Sequence, residues 1–294
     1  MIVTINFPND EQFKMFRYPG GEVQVRLTEE TANLLKHPKV ETVHVVARIT
    51  DGEIVALAQL LDAIKGTTSA DVRLILPYLP YGRADRRFTL GDSHGLAVFG
   101  RLLGISSYDI VTLDVHSDEA KKYVRHLTNV SPLPIIGQVI DQIDGTSTYD
   151  TPILSVCVLL PDEGSCKRYF AADNPYVLHA TKKRDPITGK LSGFEVPSPD
   201  KFPADVILIV DDICDGGGTF IGIADALEAS GNSLPRYLYV THGIFSKGYA
   251  VLKDKFKHVY TTDSFPTLQP CPLISSDWFV TSIPCMPTIL EALK

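Results

Sequence analysis

The segment richest in chemistry is Val206–Phe220, which reads VILIVDDICDGGGTF. Its continuous apolar run suits a strand buried on both faces, and that strand ends in two adjacent carboxylates, Asp211 and Asp212. A loop follows with Asp215, Gly216, Gly217, Gly218 and Thr219, and then the stretch Phe220–Ala229 at helical spacing. Glycines let successive backbone N–H groups turn toward one point, and a helix start adds positive partial charge, so the loop reads as an anion pocket. The acidic pair is suited to accept hydrogen bonds from the vicinal hydroxyls of a ribose. Together these residues describe a grip on a phosphorylated sugar at the carboxyl end of a parallel strand. Three glycines alone would be a tight turn; the attached strand and acidic pair favour a site.

The rest of the chain supplies elements of the same kind. Short runs rich in Val, Ile and Leu recur at Val43–Val46, Val72–Leu76, Ile110–Leu113, Ile153–Leu160 and Tyr237–Val240. Each is expected to be a strand of a parallel sheet. Ile54–Ile64 carries apolar residues at 54, 57, 60, 61 and 64, one helical stripe. Alternating strand and helix implies a doubly wound α/β architecture. The stretch IDGTSTYDTP at 143–152 collects turn residues without periodicity. We therefore expect two domains, 1–145 and 146–294. The halves share a loose strand–loop–helix pattern but no convincing sequence repeat.

Composition narrows the classes. The 294 residues are 44% hydrophobic and 21% charged, ordinary values for a globular protein that can bury a core. A net charge of −7, with no recognisable RNA or DNA motif, argues against nucleic-acid binding. The N-terminus MIVTINFPNDEQF has no basic region followed by a long apolar one, and no apolar run is long enough to span a bilayer. The five cysteines are odd in number and lack a CxxC pair, which points to neither a disulfide framework nor a zinc site. A reduced cytoplasmic compartment is the simplest expectation.

Six segments, in order, resemble the ribose-phosphate pyrophosphokinase (PRPP synthetase) family. The strand–acid pair–loop of Val206–Phe220 is similar to the PRPP-binding signature that this family shares with type I phosphoribosyltransferases. FRYPGGEVQV at 16–25 resembles a loop that contributes to the ATP site of a neighbouring subunit, and PYLPYGRADRR at 77–87 resembles a second ATP-contacting segment. DVHS at 114–117 resembles a motif whose histidine is linked to the metal, and LPDEGSCKR at 160–168 a loop whose aspartate lies near metal and substrate. TKKRDP at 181–186 resembles a segment with a catalytic lysine and arginine two apart. A phosphoribosyltransferase would offer the acidic strand and loop alone.

The resemblance implies two tandem type I phosphoribosyltransferase-like domains, each a mainly parallel sheet flanked by helices. It implies transfer of the β,γ-diphosphate of ATP to the 1-hydroxyl of ribose 5-phosphate with Mg2+, in a homo-oligomer. By the same resemblance Lys182 and Arg184 are the catalytic cations. Tyr18, Glu22, Arg83, Asp85 and Arg86 hold ATP, with Glu22 arriving from another subunit. His116 and Asp162 lie at the metal, the histidine directly or through water. These residue types suit the reaction: charge gathers on phosphoryl oxygens, so positioning and fixed cations carry the catalysis.

The chain also departs from the family pattern. Gly216 stands where the family's phosphate loop carries its first threonine, so a hydroxyl donor and its volume are missing. Such a loop binds phosphate more weakly or accepts one esterified to a larger group, which leaves ADP-ribose open as the acceptor. A non-catalytic regulatory relative is the remaining alternative; it should have lost a catalytic cation, and both are present. Gly20 and Ala84 replace an acidic residue and a glutamine of the ATP-side loops, which leaves adenine selectivity open.

Overall fold

The computed structural model describes residues 1–103, 108–145, 154–169, 176–184, 191–202, 204–266 and 279–294. The chain divides into two units. The first comprises Met1–Ser131 with Ser264–Pro266 and Ile289–Lys294; the second starts at Pro132 and runs through Asp263, with the strand at Val280–Ile283 added to it.

In the first unit the order is β1 (Ile2–Phe7), β2 (Phe13–Arg17), β3 (Val23–Leu27), α1 (Glu29–Leu35), β4 (Thr42–Ala47), α2 (Ile54–Lys65), β5 (Asp71–Leu76), α3 (Gly95–Leu103), β6 (Asp109–Leu113), α4 (Ala120–Tyr123) and β7 (Leu127–Val130). Five strands form one sheet in the order β1-β4-β5-β6-β7, every pairing parallel. Sequence texture follows strand position. Edge strand β1 alternates exposed and buried residues, whereas the interior strands β4 and β6 are buried along nearly their whole length. Of the expected α2 stripe, Leu57, Leu60, Leu61 and Ile64 are buried, Ile54 at the helix start is only half-buried, and Ala56 joins the buried face. On the same helix, Gln59 accepts from the Val25 amide at 2.9 Å and donates to the Val23 carbonyl at 2.9 Å. That double bond pins the antiparallel β2–β3 hairpin to the helix.

The second unit continues with α5 (Leu133–Asp144), β8 (Val156–Leu160), α6 (Glu163–Tyr169), β9 (Val177–His179), β10 (Thr181–Arg184), β11 (Leu191–Glu195), β12 (Val206–Cys214), α7 (Gly218–Ala229), β13 (Arg236–Gly243), β14 (His258–Thr262) and β15 (Val280–Ile283). Its sheet runs β15-β14-β13-β12-β8-β9, again with parallel pairings throughout. β10 and β11 form a separate antiparallel hairpin. Ile207, Ile209, Leu238 and Val240 from the sheet meet Phe220, Ile223 and Leu227 from α7 in one core.

Several element ends differ from the sequence expectation, as at β8, which starts at Val156, and β13, which spans Arg236–Gly243; two others shape the site. β12 runs past Val210 to Cys214, because β13 is long enough to pair with Asp211, Ile213 and Cys214 through Val240, His242 and Gly243. α7 starts at Gly218 and not at Phe220: Gly217, with φ 78°, takes the left-handed conformation that glycine tolerates and sets the helix start inside the glycine run. Among the described residues, no helix is long and apolar enough to cross a membrane.

Candidate active site

In the second unit the expected residues gather at the carboxyl ends of β8 and β12. Asp162 follows β8 directly. Its Oδ1 accepts from the Ser165 amide at 3.0 Å and lies 3.3 Å from the Ser165 hydroxyl, which ties the carboxylate to the first turn of α6. Its Oδ2 accepts from Lys182 Nζ at 2.7 Å. Burial pushes the Asp162 carboxyl up, but the Lys182 bond and the Ser165 contacts outweigh it and hold its pKa below the ordinary value.

The acidic pair lies one step further in. Ser165, fully buried, sits 3.0 Å from Asp211 Oδ1, so a single hydroxyl links Asp162 to the pair. Arg168, one turn along α6, places Nη1 2.8 Å from Asp212 Oδ2 and Nη2 3.2 Å from Asp211 Oδ1. Burial and the neighbouring Asp212 charge drive the Asp211 pKa well upward, and the Arg168 guanidinium opposes them. A buried carboxylate beside a half-buried one needs such a cation. Sequence reasoning missed both Ser165 and Arg168. The available signal was spacing: Ser165 and Arg168, three and six residues after Asp162, place a hydroxyl and a guanidinium on one helix face.

Lys182 reaches this cluster from the β10–β11 hairpin, and glycine makes that approach possible. A Cβ on Gly222 of α7 would lie 2.7 Å from the Phe194 ring of β11, so the hairpin seats on the helix at a point where no side chain fits. Arg184 is the last residue of β10; its side chain lies outside the described atoms.

The glycine loop Asp215–Thr219 closes this end of the unit. The loop after β13 is stitched to it: the Ser246 amide donates to the Asp215 carbonyl at 3.2 Å, and the Ser246 hydroxyl donates to Asp215 Oδ1. α7 has no side-chain cap. As at any helix start, the first N–H groups have no carbonyl partner within the helix, which suits an anion site.

In the first unit, the loop after β5 and the loop after β6 bring Asp85, Arg86, Ser117 and His116 together. Arg86 chelates the buried Asp85 carboxylate with Nε at 2.9 Å and Nη2 at 2.8 Å. The Arg86 bond, with further help from Ser117 and the nearby His116, holds the Asp85 pKa below its ordinary value against the pull of burial. A Cβ on Gly82 would lie 3.8 Å from His116 Cβ, so the first loop packs on the second. Arg83 and His116 are exposed. Tyr18 and Glu22 occupy the exposed β2–β3 turn, closed by Tyr18 N to the Glu22 carbonyl at 2.9 Å. Gly20 has a local reason: the Glu22 carboxylate curls over it, Oε2 lying 2.5 Å from where a Cβ would stand.

Among the described residues, no group of three or more His, Cys, Asp or Glu side chains forms a metal cage. Magnesium takes one or two carboxylates and retains several waters, and Asp162 is an oxygen donor of that kind. His116 supplies nitrogen, a poorer match for a hard cation.

Two successive parallel-sheet α/β units, the second carrying an acidic pair and a glycine loop at the ends of its strands, define a tandem phosphoribosyltransferase-like protein. The architecture matches the crystal structure of phosphoribosylpyrophosphate synthetase from Mycobacterium smegmatis with a TM-score of 0.73 at 18% identity, covering 99% of this chain and 97% of that one. Sequence relatives carry the same theme. The chain is 28% identical to a ribose-phosphate pyrophosphokinase of Methanopyrus kandleri over 262 residues, 85% of this chain and 82% of that protein. It is 29% identical to one of Thermococcus kodakarensis over 242 residues, 79% and 78% of the two chains. With one of Methanosarcina acetivorans it shares 25% identity over 287 residues, 95% and 89%. No protein-family model matches the chain. The chain is a divergent relative of the ribose-phosphate pyrophosphokinases.

Proposed function

We propose that this chain is a ribose-phosphate pyrophosphokinase-type transferase that moves the β,γ-diphosphate of ATP to the 1-hydroxyl of ribose 5-phosphate. PRPP and AMP are the products, and nucleotide biosynthesis is their use. The observation that carries the reading is the second-unit cluster, in which Lys182, Asp162, Ser165, Asp211, Arg168 and Asp212 form one connected chain. A cation for the transferred group and a carboxylate pair for a ribose are thus held in one network beside an anion-binding loop.

In this reading the 5-phosphate seats on the loop Asp215–Thr219, where backbone amides and the α7 dipole hold it. Asp211 and Asp212 accept from the ribose 2- and 3-hydroxyls, since each carboxylate offers several acceptor positions. The 1-hydroxyl oxygen bonds to the β-phosphorus and releases its proton, while the bond between the β-phosphorus and the oxygen of AMP breaks. Lys182 exchanges Asp162 for the phosphoryl oxygens as their charge grows, with Arg184 as the second cation. A fixed donor of this kind typically contributes about 100- to 1,000-fold in rate. Asp162 and His116 are the candidate residues that would hold magnesium, which would supply positive charge against the phosphate oxygens.

The first domain, 1–145, supplies the ATP-side loops through Arg83, Asp85 and Arg86, and the second, 146–294, the sugar-phosphate loop and the cations. The exposed turn with Tyr18 and Glu22 serves a neighbouring copy, which makes the protein a homo-oligomer. A cytoplasmic location belongs to the same reading; among the described residues Cys157, Cys166, Cys214 and Cys285 form no disulfide.

ADP-ribose is the second reading of the acceptor. A Cβ on Gly218 would meet nothing within 4 Å, so the loop has open space beside it for a phosphate bearing a further group. Initial rates of AMP release from ATP and magnesium, with each acceptor at matched concentrations, test both readings. AMP with ribose 5-phosphate supports the first and AMP with ADP-ribose alone the second. No AMP from either would overturn catalysis and favour a regulatory relative.

A further inference from the structure

Gly216 lacks a side chain, but its space is not empty. A Cβ at this position would lie 3.3 Å from both Cδ and Cε of Lys247 and 3.6 Å from its Cγ. The aliphatic stem of one lysine therefore lies along the face of the phosphate loop where a side chain at 216 would stand. The ammonium is one bond, about 1.5 Å, beyond Cε.

The lysine is held there by its backbone. Ser246, the preceding residue, bonds Asp215 through both its amide and its hydroxyl. The Ile244 and Phe245 amides both donate to the Cys214 carbonyl, at 2.9 and 3.1 Å. Gly248 N donates to the Phe245 carbonyl at 2.7 Å, and the turn is bounded by left-handed residues, Phe245 with φ 46° and Gly248 with φ 70°. Lys247 thus sits at the crest of a tight turn fastened to the loop it covers. It is exposed, and among the described residues its ammonium has no hydrogen-bond or ion-pair partner. A long side chain laid over glycine and not directed at a carboxylate keeps its charge available for an anion on that loop.

We propose that Lys247 is a specificity-determining residue of the phosphate loop, its ammonium contacting the phosphoryl group of the acceptor in place of a side-chain hydroxyl at position 216. The proposal rests on the reading of Asp215–Thr219 as the acceptor's phosphate site. Gly216 and Lys247 then form a compensating pair: glycine makes room for the stem, and the stem brings a full charge where a neutral donor is missing.

The test uses the intact chain with Lys247→Met, which keeps the apolar stem over Gly216 and removes the charge, and Lys247→Arg, which keeps the charge. Binding of ribose 5-phosphate and of ADP-ribose is measured by calorimetry, and KM and kcat are measured for whichever acceptor turns over. Lys247→Met is expected to weaken acceptor binding and raise its KM about tenfold or more, leaving kcat and the KM for ATP within about twofold, with Lys247→Arg recovering most of the loss. The acceptor most affected identifies whether a phosphomonoester or a diphosphate ester is recognised. Gly216→Thr alone is expected to impair acceptor binding by displacing the stem, and Gly216→Thr with Lys247→Gly to restore it to within a fewfold. Wild-type binding with unchanged affinity in Lys247→Met overturns the role of Lys247 and leaves the phosphate site standing. So does a Gly216→Thr variant that binds better while Lys247 is present. A wild-type protein that binds neither acceptor overturns the phosphate site and the proposal together.

Discussion

Lys182 Nζ and Asp162 Oδ2 lie 2.7 Å apart, although one residue is on the β10–β11 hairpin and the other follows β8. The candidate catalytic cation and the candidate metal-side carboxylate therefore satisfy each other. The pair is about one-third exposed on each side, so its net contribution to stability is small, about 1 kcal/mol or less. Its importance is positional: it parks the ammonium beside the acidic pair until phosphate oxygens compete for it.

Replacing Lys182 by methionine is expected to lower kcat for AMP release by about 1,000-fold, while acceptor binding changes less than about threefold. Stopped-time assays of AMP together with calorimetry separate the two. The melting temperature should stay within a few degrees of wild type, since the ion pair contributes little.

Arg168→Ala should behave differently. It strips the cation from two adjacent carboxylates, of which Asp212 is buried, and is expected to cost about 3 kcal/mol in urea unfolding at pH 7.5. Burial and the Asp212 charge already raise the Asp211 pKa well above its ordinary value. Loss of Arg168 raises its pKa further. The deficit should therefore shrink as pH falls and the pair takes up a proton.

Gly222→Val tests how the hairpin is positioned. A Cβ there would meet the Phe194 ring at 2.7 Å, so the substitution must lift the hairpin or distort α7, at a cost of about 1–3 kcal/mol. If Phe194 seats the hairpin, kcat falls through misplacement of Lys182 while the phosphate loop still binds the acceptor. Gly222→Val with Phe194→Ala should recover part of the rate.

A fourth expectation concerns pH. Burial lowers the pKa of His258 from its ordinary 6.5, and burial with the nearby Arg73 does the same for His44. Between the folded value and 6.5 the unfolded chain binds more protons than the folded one, so stability rises with pH in that window. The raised Asp211 pKa contributes the opposite slope, so the histidine share is read as a difference: below pH 6.5 the wild type should lose more unfolding free energy than His258→Gln. A difference between the two that stays constant down to pH 5 would contradict the burial argument.

The parts legible in the sequence were those where one segment carries its own logic. Val206–Val210 is buried along its whole length, and Asp211, Asp212 and the glycines follow it within nine residues. The α2 stripe was legible for the same reason. Elements whose signal is shared or short were not read. α5 buries Ile135, Ile136, Val139 and Ile143 at helical spacing, but the turn-rich stretch beginning at 143 drew attention to a boundary there. The β2–β3 hairpin has mixed burial and depends on Gln59, 34 residues beyond Val25, for its anchorage. Arg168 reaches its carboxylate partners across 43 and 44 residues, and Lys247 lies 31 residues after the glycine it covers. Such pairings arise from sheet order, which places β8 beside β12 and β12 beside β13; local spacing does not encode them.

The most direct test of the central claim is phosphorus NMR of a reaction containing the chain, ATP, magnesium and ribose 5-phosphate. The account expects AMP and a C1-diphosphorylated ribose 5-phosphate to form one to one, with both transferred phosphorus atoms in the product and no ADP. Accumulation of ADP with a singly phosphorylated product, or ATP left intact in both this mixture and one with ADP-ribose, would contradict it.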